Sequence, residues 1–110
     1  MYEYRAYVKK VYDGDTITVD IDLGFGVLLK NQKIRLYGIN TPEIRGESKE
    51  EGKKVRDLVR ERILDTWVTI KTYKDKKGKY GRWLGMVYEL EVEESINEWL
   101  LNEGHAVKYI

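Results

Sequence analysis

The side chains with most chemical potential crowd into one stretch, Arg35-Leu-Tyr-Gly-Ile-Asn-Thr-Pro-Glu43. A guanidinium, an amide oxygen and a carboxylate stand within nine residues there. Asp13-Gly-Asp15-Thr16 adds two carboxylates beside a turn, and Lys79-Tyr80-Gly81-Arg82 adds further cations. Arginine presents a planar fork that matches phosphate oxygens. Asp15 and Asn40 offer the hard oxygens that Ca²⁺ or Mg²⁺ prefers. A carboxylate such as Glu43, set near a bound cation, orients or deprotonates a water. Two arginines, one metal-capable Asp and one free carboxylate suit hydrolysis of a phosphodiester, where cations stabilise charge developing on the equatorial oxygens. Plainer readings compete at each position. The central stretch also reads as a strand that ends at an Asn-Thr-Pro turn. Asp13 reads as turn chemistry. Asp20 and Asp22, two apart, read as solvent-facing residues more than as ligands. The chain offers no Ser/His/Asp or Cys/His set, and His105 stands alone as a surface or cap residue.

These groups need a scaffold, and hydrophobic period supplies its outline. Residues 4 to 12 and 16 to 21 alternate as strands, with Asp13-Gly14-Asp15 between them as a hairpin signal. Asp22 to Gly26 is a glycine-punctuated loop. A third strand over 27 to 39 leads into the reactive stretch, with Ile34 and Leu36 on one face and Arg35 and Tyr37 on the other. Pro42, without an N–H, ends it. One long helix is expected over Glu47 to Asp65, with Val55, Leu58, Val59 and Ile63 as its apolar stripe and Ser48/Glu51 as a capping box. Its charged faces, Arg56 and Arg60 included, read as solvated. A fourth strand follows over Trp67 to Tyr73 and a fifth over about Gly81 to Leu90. Ser95-Ile-Asn-Glu98 then opens a short helix that Gly104 closes. The predicted class is α+β, mainly β: a five-stranded Greek-key barrel of the OB type, its long helix between strands three and four and a short C-terminal helix. Closure removes the sheet edges that five strands would otherwise expose.

At 110 residues the chain is expected to form one domain spanning 1–110, and 42% apolar residues with three Trp and nine Tyr predict a packed core. The absence of cysteine excludes a disulfide framework and a thiolate metal site. Net charge of +1 gives no global sign of a polyanion partner. Between Lys71 and Arg82, however, six cations face the single Asp75, with Tyr73 and Tyr80 interleaved. Such a loop suits a nucleic acid, and equally a solvated hairpin tip. With no apolar run of membrane-spanning or signal-peptide length, no membrane partner is expected. Cytoplasmic location is the default expectation, secretion from a longer precursor the alternative.

Asp-Gly-Asp-Thr, Arg-Leu-x-Gly-Ile-Asn-Thr-Pro-Glu and Lys-Tyr-Gly-Arg, in this order and spacing, resemble the staphylococcal nuclease (thermonuclease-like) family. The Ser-Ile-Asn-Glu helix and its terminal glycine extend the likeness from about Tyr4 to Val107. The resemblance implies an OB-fold barrel and Ca²⁺-dependent cleavage of DNA or RNA, at single-stranded or accessible regions, that leaves 3′-phosphate ends. A monomer is expected, with Mg²⁺ or another divalent ion as the alternative cofactor. By motif, Asp15, Asn40 and Thr41 become metal ligands, Thr41 through its backbone carbonyl. Arg35 and Arg82 contact the scissile phosphate, and Glu43 activates water. Lys79, Tyr80 and Leu84 become substrate-binding residues, and Asn97 a structural asparagine. Two departures stand out. Asn40 replaces a frequent Asp, and Tyr109, offset from the match, is the one tyrosine near where family members carry nucleotide-pocket tyrosines. The rival classes are a non-catalytic OB-type module that binds nucleic acid or protein, and a structural subunit. Retention of Arg35, Glu43 and Arg82 argues against both.

Overall fold

In a computed structural model the described residues are 2–74 and 83–109. Five strands close into a barrel: β1 (Tyr2–Asp13), β2 (Thr16–Gly24), β3 (Val27–Leu36), β5 (Trp67–Lys74) and β6 (Trp83–Glu89). Their order around the barrel is β1-β2-β3-β6-β5. Four seams are antiparallel, and β3 with β6 is parallel over three pairs, Ile34–Trp83 to Leu36–Gly85. This is the five-stranded OB-type barrel that the alternating pattern predicts. The inward set is branched and apolar: Ala6, Val8, Val11, Ile17, Val19, Ile34, Leu36, Val68, Ile70 and Val87 are all buried. The helix α1 (Lys49–Ile63) lies between β3 and β5 and closes one end with Val55, Val59 and Ile63, while α2 (Ile96–Asn102) adds Ile96 and Leu100.

Several local expectations are corrected. The third strand stops at Leu36, because Gly38 turns at φ 77°. Ile39–Asn40 then forms a separate strand, β4, pairing with β7 (Val107–Lys108) beside the barrel. The glycine-rich loop shrinks to a two-residue turn. Phe25 and Gly26 both have positive φ, which is the primed turn geometry that matches strand twist. The long helix begins two residues late, after a 3₁₀ turn over Gly46–Ser48. Ser48 makes no capping bond and instead donates to the Glu43 carbonyl at 3.0 Å. The capping box at Ser95 and Glu98 is present as expected.

Candidate active site

The Asp13–Thr16 turn is tight for reasons of packing and not of backbone twist. Gly14 has no positive φ. A Cβ there would lie 2.7 Å from Val55 and 2.8 Å from the Thr41 hydroxyl, so only glycine admits the loop carrying Thr41 against the turn. Asp15 is thereby buried against Thr41, whose amide donates to its Oδ2 at 3.0 Å. Thr16 Oγ1 donates to Oδ1 at 3.1 Å. The Asp15 amide donates to Asp13 Oδ1 at 3.0 Å, which fixes the turn. The expected turn role of Asp13 is therefore present.

Arg35 reaches the same point from β3, where it is the register partner of Thr16. Its Nη1 pairs with Asp15 Oδ2 at 2.7 Å. Its Nη2 donates to Asn40 Oδ1 at 3.1 Å and to the Ile39 carbonyl at 3.2 Å. One guanidinium on β3 thus ties the turn between β1 and β2 to β4. Burial pushes the Asp13 carboxyl up to about 6, helped by its hydrogen bond to Asp15 and the charge there. Burial acts on Asp15 in the same sense, but it is outweighed by hydrogen bonds from Asp13 and Thr41 and by the charge of Arg35. The Asp15 carboxyl is held below the ordinary range.

Asp13, Asp15, Arg35, Asn40, Thr41 and Glu43 line one cleft of about 1040 Å³. Glu43 is exposed and its carbonyl is seated on α1, where a Cβ on Gly52 would come within 2.1 Å of that oxygen. Gly52 therefore sets the depth of the Glu43 loop, a role that a glycine inside a helix pattern signals by its very cost. Leu84 is half-buried and is the register partner of Arg35 across the β3–β6 seam. Lys79, Tyr80 and Arg82 lie outside the described residues.

Two sequence-level assignments shift. Asp20 is buried and accepts from the Asn31 amide at 3.0 Å, and Asp22 caps the Gly24 amide at 2.8 Å, so both carboxylates are engaged away from the cleft. Lys71 stands over the Tyr88 ring at 5.1 Å, beside Glu89 and Glu91 in a separate depression. Tyr73 stacks on Tyr37 with ring centroids 4.6 Å apart. Tyr109 is the residue the spacing undervalues. Its ring lies 5.5 Å from the Arg35 guanidinium carbon, and its amide donates to the Gly38 carbonyl at 2.9 Å. Pairing of β4 with β7, invisible to a motif search, puts it there. His105 packs edge-on to Trp99 and caps α2 through its amide on the Leu100 carbonyl, as expected for a cap residue.

A family model described as staphylococcal nuclease homologue matches residues 33–110. The chain belongs to the staphylococcal nuclease family. A thermonuclease of Staphylococcus hyicus is 34% identical over 107 residues, covering 94% of this family member and 59% of that protein. A thermonuclease of Staphylococcus intermedius is 31% identical, with 90% and 56% covered. An endonuclease of Bacillus subtilis is 31% identical over 97% of the chain but only 9% of its own length. This staphylococcal nuclease family chain thus spans under three fifths of the two thermonucleases it matches. The carboxylate and guanidinium of its central stretch share one cleft with the Asp13–Thr16 turn.

The donor set is chemically suited to a hard cation. Asp15, Asn40 and the Thr41 carbonyl are all oxygens, and the Thr41 hydroxyl is buried with no hydrogen-bond partner. No group of three His, Cys, Asp or Glu residues with metal-ligand spacing occurs among the described residues, so the carboxylate count is low. Among the described residues no helix is long and apolar enough to cross a membrane.

Proposed function

We propose that this chain is a divalent-cation-dependent nuclease that hydrolyses phosphodiester bonds of DNA or RNA and leaves 3′-phosphate ends. The observation that carries this reading is the convergence of Asp15, Arg35, Asn40 and Glu43 on one cleft, although they come from a turn, two strands and a loop. Asp15, Asn40 and the Thr41 carbonyl would hold Ca²⁺, with Mg²⁺ as the alternative. Once bound, the cation supplies Lewis-acid stabilisation of charge on the phosphate oxygens. Arg35 offers a fixed fork to the same phosphate, and the Asp15 and Asn40 oxygens together with Tyr109 hold that fork in place. Glu43, exposed at the cleft, accepts the proton of the attacking water. The water oxygen bonds to phosphorus as the bond to the 5′-oxygen breaks, and that oxygen leaves with a proton taken from solvent. By motif, Arg82 is the second phosphate cation, and Lys79, Tyr80 and Leu84 bind the substrate beyond it.

One observation favours a second reading, a non-catalytic nucleic-acid-binding module. Arg35 already satisfies Asp15 Oδ2 and Asn40 Oδ1 without any cation, and Asn40 brings no charge of its own. Cleavage of single-stranded DNA and RNA, titrated with Ca²⁺ and Mg²⁺ and stopped by EDTA, separates the two. Glu43→Gln and Arg82→Ala should each lower the rate roughly 10²–10⁴-fold with the melting temperature retained. Rates within about threefold of wild type for both variants remove the hydrolytic assignment, since the loss of one such group is expected to cost far more. Binding without cleavage at millimolar metal moves the conclusion to the module.

A further inference from the structure

The cleft does not end at the carboxylates. Across β1, β2 and β3 the outward residues form rows set by strand register. Asp13, Thr16 and Arg35 form the row at the catalytic centre. Lys10, Thr18 and Lys33 form the next row on the same outer surface. Lys33 is two residues from Arg35 along β3, so it stands about 6.6 Å further on. Lys10 lies two strands across from it, about 10 Å away. All of these residues line the one cleft. The opposite wall is α1, where Arg56 and Arg60 are one turn apart and also line it. Arg60 is tied down by donating to the Val11 carbonyl at 3.0 and 3.2 Å. Arg56 touches only its exposed neighbour Asp57, at 3.1 Å, among the described residues.

The pattern is one-sided. The carboxylates Asp13, Asp15 and Glu43 gather at one end, and beyond them both walls are cationic. Among the described residues Lys10 and Lys33 make neither an ion pair nor a side-chain hydrogen bond. Lys9, by contrast, donates to Asn31 Oδ1 at 3.0 Å and lies 3.7 Å from Asp20. Two lysines about 10 Å apart across a stiff sheet, without acidic partners among the described residues, and facing an arginine on a helix repel one another. An anionic ligand relieves that repulsion. Spacing of successive cations along β3 is comparable to that of successive phosphates in an extended strand.

The geometry points to a second binding track, in which Lys10 and Lys33 on the sheet and Arg56 on α1 hold the phosphates of a single strand beyond the scissile bond. These three residues then make cleavage depend on strand length, and a dinucleotide gains nothing from them. For its substrate class the inference rests on the nuclease reading. Groove walls of sheet and helix, with cations and no base-reading set, predict length preference without sequence preference.

The test compares Lys10→Ala combined with Lys33→Ala, Arg56→Gln, and a control pair, Lys49→Ala with Lys54→Ala. The control lysines are exposed on α1 and outside the cleft. The first readout is the ratio of kcat/KM for a long single-stranded oligonucleotide to that for a dinucleotide. It should fall about fivefold or more in the sheet variant and less in Arg56→Gln. The second readout is the salt dependence of binding of a fluorescent single strand in EDTA, in the Glu43→Gln background. Its logarithmic slope should become shallower by about 0.7 for each cation removed. An unchanged ratio and slope overturn the track, as does an equal change in the control pair. If wild type cleaves nothing, the slope decides alone. A shallower slope keeps the track and sinks only the hydrolytic reading. An unaltered slope, or no binding of the strand at low salt, sinks the track itself.

Discussion

Asn40 shows how much one side chain decides at this site. Its amide oxygen accepts from Arg35 and faces the same cleft as Asp15, but without a charge. Ligand charge is one of the main determinants of calcium affinity. Asn40→Asp is therefore expected to lower the Ca²⁺ midpoint of cleavage by about tenfold, measured as rate against free Ca²⁺. A midpoint that stays put would mean residue 40 does not touch the ion. The same residue scale explains why Asp15 and Arg35 tolerate burial. Their side chains are 7% and 13% exposed, yet Asp15 accepts from Arg35, Thr41 and Thr16, so the charge that burial disfavours is met from three sides.

At the scale of elements, two contacts join secondary structure to the site. The first is the seat of the Glu43 loop on α1. Gly52→Ala raises intrinsic helix propensity by about 1 kcal/mol. It also drives a methyl into the Glu43 carbonyl, an overpacking worth about 1–3 kcal/mol. The expected outcome is a lower melting temperature and a loss of cleavage larger than the loss of fold, read by thermal unfolding and single-turnover rates. A gain in stability with full activity would detach Gly52 from the loop. The second contact is Asn97 on α2. Its amide nitrogen donates to the carbonyls of Tyr37 and Gly85, at 2.9 and 3.1 Å, and its oxygen accepts from the Val87 amide at 3.0 Å. Asn97 is buried, so it cross-links β6 to the turn after β3 with no water to replace it. Asn97→Ala leaves these groups unpaired and should cost about 2–4 kcal/mol in denaturant unfolding. A cost below about 1 kcal/mol would deny it that structural role.

For the whole molecule, the decisive feature is a barrel closed by one short parallel seam, with the strand pair β4–β7 attached outside it. The seam runs close because Gly85 leaves room, and a Cβ there would meet Ile70 and Ile34 at 2.8 and 2.9 Å. Strand β7 carries the chain back across Ile39 and Asn40 and brings Tyr109 over Arg35. Truncation after Ala106 removes that strand without touching the barrel core. It should keep cooperative unfolding while raising the Ca²⁺ midpoint and lowering kcat. Full activity in the truncated chain would show that Arg35 and Asn40 need no support from outside the barrel.

Fold class, the order of the five barrel strands and two helices, and the residue types of the candidate site are legible in the chain before it folds. Alternation at Ile17, Val19 and Ile34 and the helical stripe at Val55, Val59 and Ile63 are local periodicities, and burial of one face follows from them. Oxygen donors, guanidinium and free carboxylate are likewise legible as residue types, and the motif spacing marked which of them to group. The remainder depends on how the folded chain meets itself. Tertiary packing broke the third strand at Gly38, moved Asp20 out of solvent and turned Arg56 and Arg60 from a solvated face into a cleft wall. It also placed Tyr109 on Arg35, and gave Gly14 and Gly52 their roles as close-approach points. These outcomes depend on which segments meet across long separations in the chain. A local pattern constrains a residue's own backbone and the side it faces, whereas the neighbour it meets there is set by strand register and barrel closure.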